Sequence, residues 1–214
     1  MNRTKIEWCD YTWNPIVGCK RGCPYCYARK IHNRFNPSIP FEKITRFEDR
    51  LSQPLTLRKL SRIFVGSMSD IEYWTSMDMY KVLNIVKARP QHTFLFLTKN
   101  GEVYNRQEFP NNCWLGVTSV NGKYKFVIKK ENRHNIKFLS IEPLLMKWTG
   151  LWLSSQIDWI IIGGLSPKPV HKKEWIDSMC KEADRLKIPI FIKQNTNYPK
   201  IRQEFPVNTS TPKE

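Results

Sequence analysis

Three cysteines, Cys19, Cys23 and Cys26, lie within the run Gly18-Cys19-Lys20-Arg21-Gly22-Cys23-Pro24-Tyr25-Cys26-Tyr27, with three residues and then two between them. Thiols clustered on one short loop serve as metal ligands, as redox dithiols or as disulfide partners. An iron–sulfur cube takes a ligand at each of its four irons, so three cysteines leave one iron open to another molecule. A structural zinc site wants four ligands, usually in two spaced pairs. No second Cys-x-x-Cys or His-x-x-x-His follows here, although His32 is near enough to be a fourth ligand. A thioredoxin-like dithiol would use Cys23 and Cys26 and leave Cys19 idle. Disulfide stapling is disfavoured, because the opening residues Met1-Asn2-Arg3-Thr4-Lys5 lead into no hydrophobic signal segment and a chain of 214 residues needs no staples.

The cysteine spacing, with Tyr25 before the last cysteine, resembles the signature of the radical S-adenosylmethionine (SAM) superfamily. Further segments extend the likeness over nearly the whole chain: Thr12-Trp13-Asn14-Pro15, Val65-Gly66-Ser67-Met68-Ser69-Asp70, Leu97-Thr98-Lys99, Trp114-Leu115-Gly116-Val117, Ser140-Ile141-Glu142-Pro143-Leu144, Ile162-Gly163-Gly164 and Ile192-Lys193-Gln194. Together they resemble a phage-type three-cysteine-motif family of that superfamily, a family without an assigned substrate. The chain departs from that narrower family in its short spacing between the first two cysteines. The resemblance implies a 4Fe-4S cluster on Cys19, Cys23 and Cys26, with SAM bound at the open iron and cleaved reductively to a 5′-deoxyadenosyl radical. It also implies a reducing electron donor such as a flavodoxin or ferredoxin, and Tyr25 beside the cofactor.

The elements that must position this chemistry are read from periodicity. Apolar runs rich in β-branched and aromatic residues span Arg62 to Gly66, Thr93 to Thr98, Cys113 to Thr118, Lys137 to Ile141, Asp158 to Gly163 and Ile188 to Lys193. Met79, Val82, Leu83 and Val86 form a helical stripe that ends at Arg89-Pro90. Trp175, Ile176, Met179, Cys180, Ala183 and Leu186 form another, ending before Pro189. The segments Lys20 to Phe35 and Tyr124 to Asn132 are expected as further helices. Apolar strands alternating with amphipathic helices predict an α/β fold with a mostly parallel sheet covered by helices. Periodicity does not separate a doubly wound sheet from a barrel; the superfamily resemblance implies a partial (β/α)6 TIM-type barrel. The expected organisation is a single domain over residues 1–205 and a disordered tail over 206–214.

In parallel β/α folds, chemistry gathers at the C-terminal ends of strands. The polar residues there are Ser67, Ser69 and Asp70, then Lys99 and Asn100, Ser119 and Asn121, Glu142, Ser166, and Lys193 with Gln194. By analogy with the superfamily, the loop Gly66 to Asp70 helps bind the SAM amine, and Ser119 or Asn121 holds its ribose or carboxylate. Glu142 directly follows an apolar run and is costly to bury unpaired, so it is a ligand or half of a structural ion pair. Ser and Asp at such turns also serve as ordinary helix caps. Cys113 and Cys180 read as buried small hydrophobes, while Cys9 has no assigned place.

Charge is the second signal. With 35 Lys and Arg against 19 Asp and Glu, the formal charge is +16, which favours polyanionic partners such as nucleic acid. The cations group at Arg29, Lys30, Arg34, Lys43, Arg46 and Arg50, at Lys123, Lys125, Lys129, Lys130 and Arg133, and at His171, Lys172 and Lys173. A nucleic acid or nucleotide is the expected substrate, for repair or modification; a peptide or a partner protein from a neighbouring gene is the alternative. No apolar run is long enough to span a membrane, and a cytoplasmic location is expected. Two other classes compete: a basic nucleic-acid-binding module with zinc on the cysteines and His32, and an iron–sulfur redox sensor without SAM turnover.

Overall fold

All six apolar runs form strands in the computed structural model, which describes residues 1–124, 126, 128–148 and 156–207. The fold is α/β, with strands that pair mostly in parallel. The chain forms two compact units.

The first unit comprises residues 1–117 and 125–135. In chain order it holds β1 (Asn2–Arg3), β2 (Tyr11–Trp13), β3 (Ile16–Val17), α1 (Tyr27–Phe35), β4 (Thr45–Arg46), β5 (Arg62–Val65), α2 (Ser76–Lys87), β6 (Thr93–Thr98) and β7 (Cys113–Thr118). β1 runs antiparallel to β2; β2, β5, β6 and β7 pair in parallel, placing Trp13 beside Val65, Val65 beside Phe96 and Phe96 beside Leu115. These four residues are fully buried, each contributing about 1.5–3 kcal/mol by burial. β3 and β4 make a separate antiparallel ribbon.

The second unit holds residues 118–124 and resumes at Ile136. It contains β8 (Ile136–Ile141), β9 (Trp159–Ile162), α3 (Lys173–Leu186) and β10 (Ile190–Ile192). β8, β9 and β10 pair in parallel, with Ile141 beside Ile162 and Ile162 beside Ile192. α3 buries Ile176, Met179, Cys180 and Ala183 and closes on Lys187 in the left-handed conformation.

Two expected helices change. The segment Lys20 to Phe35 is helical only from Tyr27, because the left-handed φ at Gly22 and the ring of Pro24 break the backbone before it, and Cys26 caps the shorter helix. In place of a helix from Tyr124 to Asn132, only Lys130–Asn132 form a 3₁₀ turn; residues 125 and 127 lie outside the described residues. Asn132 there is buried: its amide donates to the Tyr104 and Gln107 carbonyls and its oxygen accepts from the Phe109 amide, fixing the turn by side-chain bonds. Of the tail read from composition, residues 208–214 lie outside the described residues. No helix among the described residues is long and apolar enough to cross a membrane.

α2 is tied to the cysteine side of its unit through its first turn. Thr75 and Asp78 form a reciprocal capping box, and the Asp78 carboxylate also accepts two hydrogen bonds from Arg46, at 2.6 and 2.7 Å. Burial would raise the Asp78 carboxyl, but the Arg46 and Thr75 hydrogen bonds outweigh it and hold the group below its ordinary 3.8. The stabilisation is therefore present above that value and lost as pH falls through the lower folded-state value. Asp78→Ala should cost about 1–2 kcal/mol at neutral pH, mostly from the lost cap, since Arg46 is part-exposed. Denaturant titrations at neutral and acid pH should show the difference between variant and parent shrinking on the acid side.

Candidate metal centre

The cysteine loop is fastened to the end of β5 by main-chain bonds. The Gly18 amide donates to the Met68 carbonyl and the Cys19 amide to the Phe41 carbonyl, each at 2.9 Å. Gly18 has φ +118°, and a Cβ there would collide with the Lys43 carbonyl oxygen. Further along, the Cys26 amide donates to the Cys23 carbonyl at 3.2 Å. Cys26 is the N-cap of α1, its sulfur accepting from the Arg29 amide at 3.4 Å. The free amides and partial positive charge at a helix start favour a thiolate.

Cys19, Cys23 and Cys26 are free and half-buried, and Cys19 and Cys26 pack on Val17, Ala28 and Phe41. Burial pushes the Cys19 thiol up, and Asp70, Cys26 and Cys23 push the same way, against a hydrogen bond from the Arg21 backbone. Among the described residues no three His, Cys, Asp or Glu side chains are grouped to hold a metal ion. His32 is engaged elsewhere, buried against Phe41 with its Nε2 2.8 Å from the Ile39 carbonyl oxygen.

The end of β5 carries the predicted residues Ser67, Ser69 and Asp70, all in the same unit as the cysteines. Ser67 exchanges hydrogen bonds with the Asn14 amide, and Asn14 Oδ1 also accepts from the Met68 amide at 3.0 Å. Ser69 Oγ accepts from the Trp74 indole at 3.1 Å. The Asp70 carboxylate is buried and accepts from the Thr98 hydroxyl at 2.5 Å, the Lys99 amide at 3.1 Å and the Glu72 amide at 3.0 Å. Asp70 is thus a strap between the ends of β5 and β6. Lys99, named in the sequence only as a strand-end residue, reaches the loop itself: its Nζ donates to the Tyr25 hydroxyl at 3.2 Å and stands 5.3 Å from that ring's centroid. Burial and the neighbouring Cys23 push the Tyr25 phenol up to about 12. Burial lowers the Lys99 ammonium, opposed by negative charge at Cys23 and Asp70. The legible signal for Lys99 was a lysine immediately after a buried strand.

Within the second unit, Ser119 is buried, its hydroxyl donating to the Lys123 carbonyl and to Asn121 Oδ1, so these two residues brace their own turn. Glu142 Oε1 accepts from the Ser140 hydroxyl at 3.2 Å and Oε2 from Lys193 Nζ at 2.6 Å. Gly163 makes room for it, since a Cβ there would lie 2.8 Å from the carboxylate. The ion pair weighed for Glu142 is present.

The remaining cysteines Cys9, Cys113 and Cys180 are buried. Part of the basic group after the loop is structural: Arg29 pairs with Glu42, Arg46 with Asp78, and Arg50 lies over Phe47 at 3.7 Å. Lys30, Arg34 and Lys43 are exposed without an ion pair among the described residues. His171 contacts the Thr196 carbonyl, and Lys173 pairs with Asp177. Lys125 lies outside the described residues.

Fold and site define an α/β protein with a three-cysteine loop at the end of a parallel strand. The chain belongs to the DUF5131 family, described as a protein of unknown function, which matches over residues 3–210. No curated protein and no solved structure matches it.

Gly18 and Gly22 both have left-handed φ, but nothing lies within 4 Å of a Cβ at Gly22. Gly18→Ala should therefore destabilise the protein by about 1–3 kcal/mol and accelerate alkylation of Cys19, whereas Gly22→Ala should cost about 1 kcal/mol and leave the thiol rate near that of the parent. Denaturation and timed thiol labelling check both.

Proposed function

We propose that this protein is a radical SAM enzyme. The observation that carries the reading is the loop Gly18 to Cys26: three free, half-buried cysteines, fastened by main-chain bonds to a parallel strand's C-terminal end and backed by an apolar cluster. Cys19, Cys23 and Cys26 would hold a 4Fe-4S cluster. Bound there, it would supply the electron for reductive cleavage of SAM to methionine and a 5′-deoxyadenosyl radical able to abstract hydrogen from substrate.

The chain's own residues prepare that site. Val17, Ala28 and Phe41 keep water from one side of the loop. Asn14, Ser67 and Asp70 hold the turn after β5 in one shape, so that its polar backbone is preorganised for the methionine end of SAM. Tyr25 stays protonated, and with Lys99 it sets a donor and a cation beside the loop. The finer fold, a partial (β/α)6 barrel, belongs to the same proposal, as does a cytoplasmic setting that keeps thiols reduced.

A nucleic acid or nucleotide is the proposed substrate class. The support is the formal charge of +16, with exposed cations such as Lys43 that pair with no carboxylate among the described residues. Structural zinc on the cysteines fits less well, because His32 is bonded to the Ile39 carbonyl.

Anaerobic reconstitution with iron and sulfide, reduction with dithionite and addition of SAM should give 5′-deoxyadenosine, detected by mass spectrometry. The Cys19, Cys23 and Cys26 triple alanine variant should give none. A zinc-loaded, colourless protein, or an iron protein that neither binds nor cleaves SAM, would sink the proposal. Asp70→Ala should weaken SAM binding by about tenfold or more if the turn after β5 is preorganised by its hydrogen bonds; unchanged affinity would remove that residue from the site.

A further inference from the structure

The helix after the third cysteine presents an apolar and basic face to solvent. Tyr27, Ile31 and Phe35 recur every four residues along α1 and are 49%, 45% and 70% exposed; Ile39, just past the helix, is 37% exposed. Lys30 and Arg34 are exposed too, and neither pairs with a carboxylate among the described residues. Residues i, i+3, i+4, i+7 and i+8 share one helix face, so Tyr27, Lys30, Ile31, Arg34 and Phe35 form one strip, with Ala28 and His32 on the buried side. The helix contains no acidic residue.

Resting on the radical SAM reading, we propose that this strip is the docking surface for a small acidic one-electron carrier protein. An apolar centre of Tyr and Phe with an Arg beside it, edged by cations, has the composition of a protein interface, and the positive edge complements an acidic partner. The strip begins at the residue after Cys26 and runs about 12 Å along the helix, a span suited to the small interfaces of transient redox complexes. A carrier seated there would stand beside the helix that Cys26 caps and give up one electron, which the group held by the thiols would accept, with no bond or proton changing hands. Single-stranded nucleic acid fits the strip less well. Bases stack on open aromatic faces, whereas Ile31 and Ile39 are aliphatic and the Arg34 guanidinium already lies over the Phe35 ring at 5.5 Å.

The test uses the reconstituted full chain and purified flavodoxin as probe. Flavodoxin should bind, and its affinity should fall as salt rises from about 50 to about 300 mM. The Ile31→Glu/Phe35→Glu double variant should weaken binding about tenfold or more, with unchanged thermal unfolding and unchanged dithionite-driven 5′-deoxyadenosine formation. Phe35→Ala should give a smaller loss in the same direction. Absence of binding to the parent, unchanged affinity in the double variant, or loss of affinity for a single-stranded oligonucleotide in place of flavodoxin would overturn the docking surface. If flavodoxin binds as described but dithionite drives no cysteine-dependent SAM cleavage, the enzyme reading fails while the surface stands.

Discussion

The close approach of two backbones, at Gly18 and at the Met68–Ser69 turn, is the constraint on which the cysteine site depends. The Gly18 amide reaches the Met68 carbonyl at 2.9 Å, and residues 18 and 69 form a parallel bridge that continues the strand pairing past the end of β5. A second backbone crowds the same residue: a Cβ at Gly18, with its φ of +118°, would collide with the Lys43 carbonyl, and the next residue, Cys19, packs on the apolar cluster of Val17, Ala28 and Phe41. From there Gly22 reverses the chain and Cys26 starts α1. The loop is thus held by main-chain contacts at Gly18 and Cys19 together with the packing of Cys19 and Cys26 on that cluster.

Polar groups at the strand ends obey a second constraint: a buried carboxylate must be paired or fully hydrogen-bonded. Asp70 and Glu142 carry the same sequence signal, an acid just beyond an apolar run, and meet the constraint differently. Asp70 is satisfied by two backbone amides and a hydroxyl, so its charge is spread into the frame between β5 and β6. Glu142 is satisfied by a cation and a hydroxyl on side chains, Lys193 and Ser140. Removing Asp70 would leave main-chain donors orphaned, which rotamer changes cannot repair; removing Glu142 leaves a lysine that can swing toward water.

Much of the fold was legible because long apolar runs leave little choice. Thr93–Thr98 and Cys113–Thr118 are strands to the residue, and the α2 stripe is buried as its 3.6-residue period requires. Short strands were not legible. Asn2–Arg3, Tyr11–Trp13, Ile16–Val17 and Thr45–Arg46 have two or three residues each, too few for any period, and exist because neighbours at long range pair with them. The cysteines could be read from spacing alone. The contacts of Asn14 and Lys99 could not, because what matters is where their side chains reach: 53 residues away for Asn14 to Ser67 and 74 for Lys99 to Tyr25.

The basic composition divides in the same way. A formal +16 treats every cation alike, yet the structure sorts them by what stands opposite. Arg46 is consumed by the α2 cap, Arg29 by Glu42, and Arg21 by Glu72, which also accepts from Asn100. Such cations fix local geometry and contribute little to long-range attraction, because an adjacent carboxylate cancels their field within a few ångströms. Lys30, Arg34 and Lys43 keep theirs. They stand on or close after α1, the helix that Cys26 caps. In this unit the unpaired cations of α1 thus follow directly on the segment that carries the thiols, and both features bear on whatever approaches that segment.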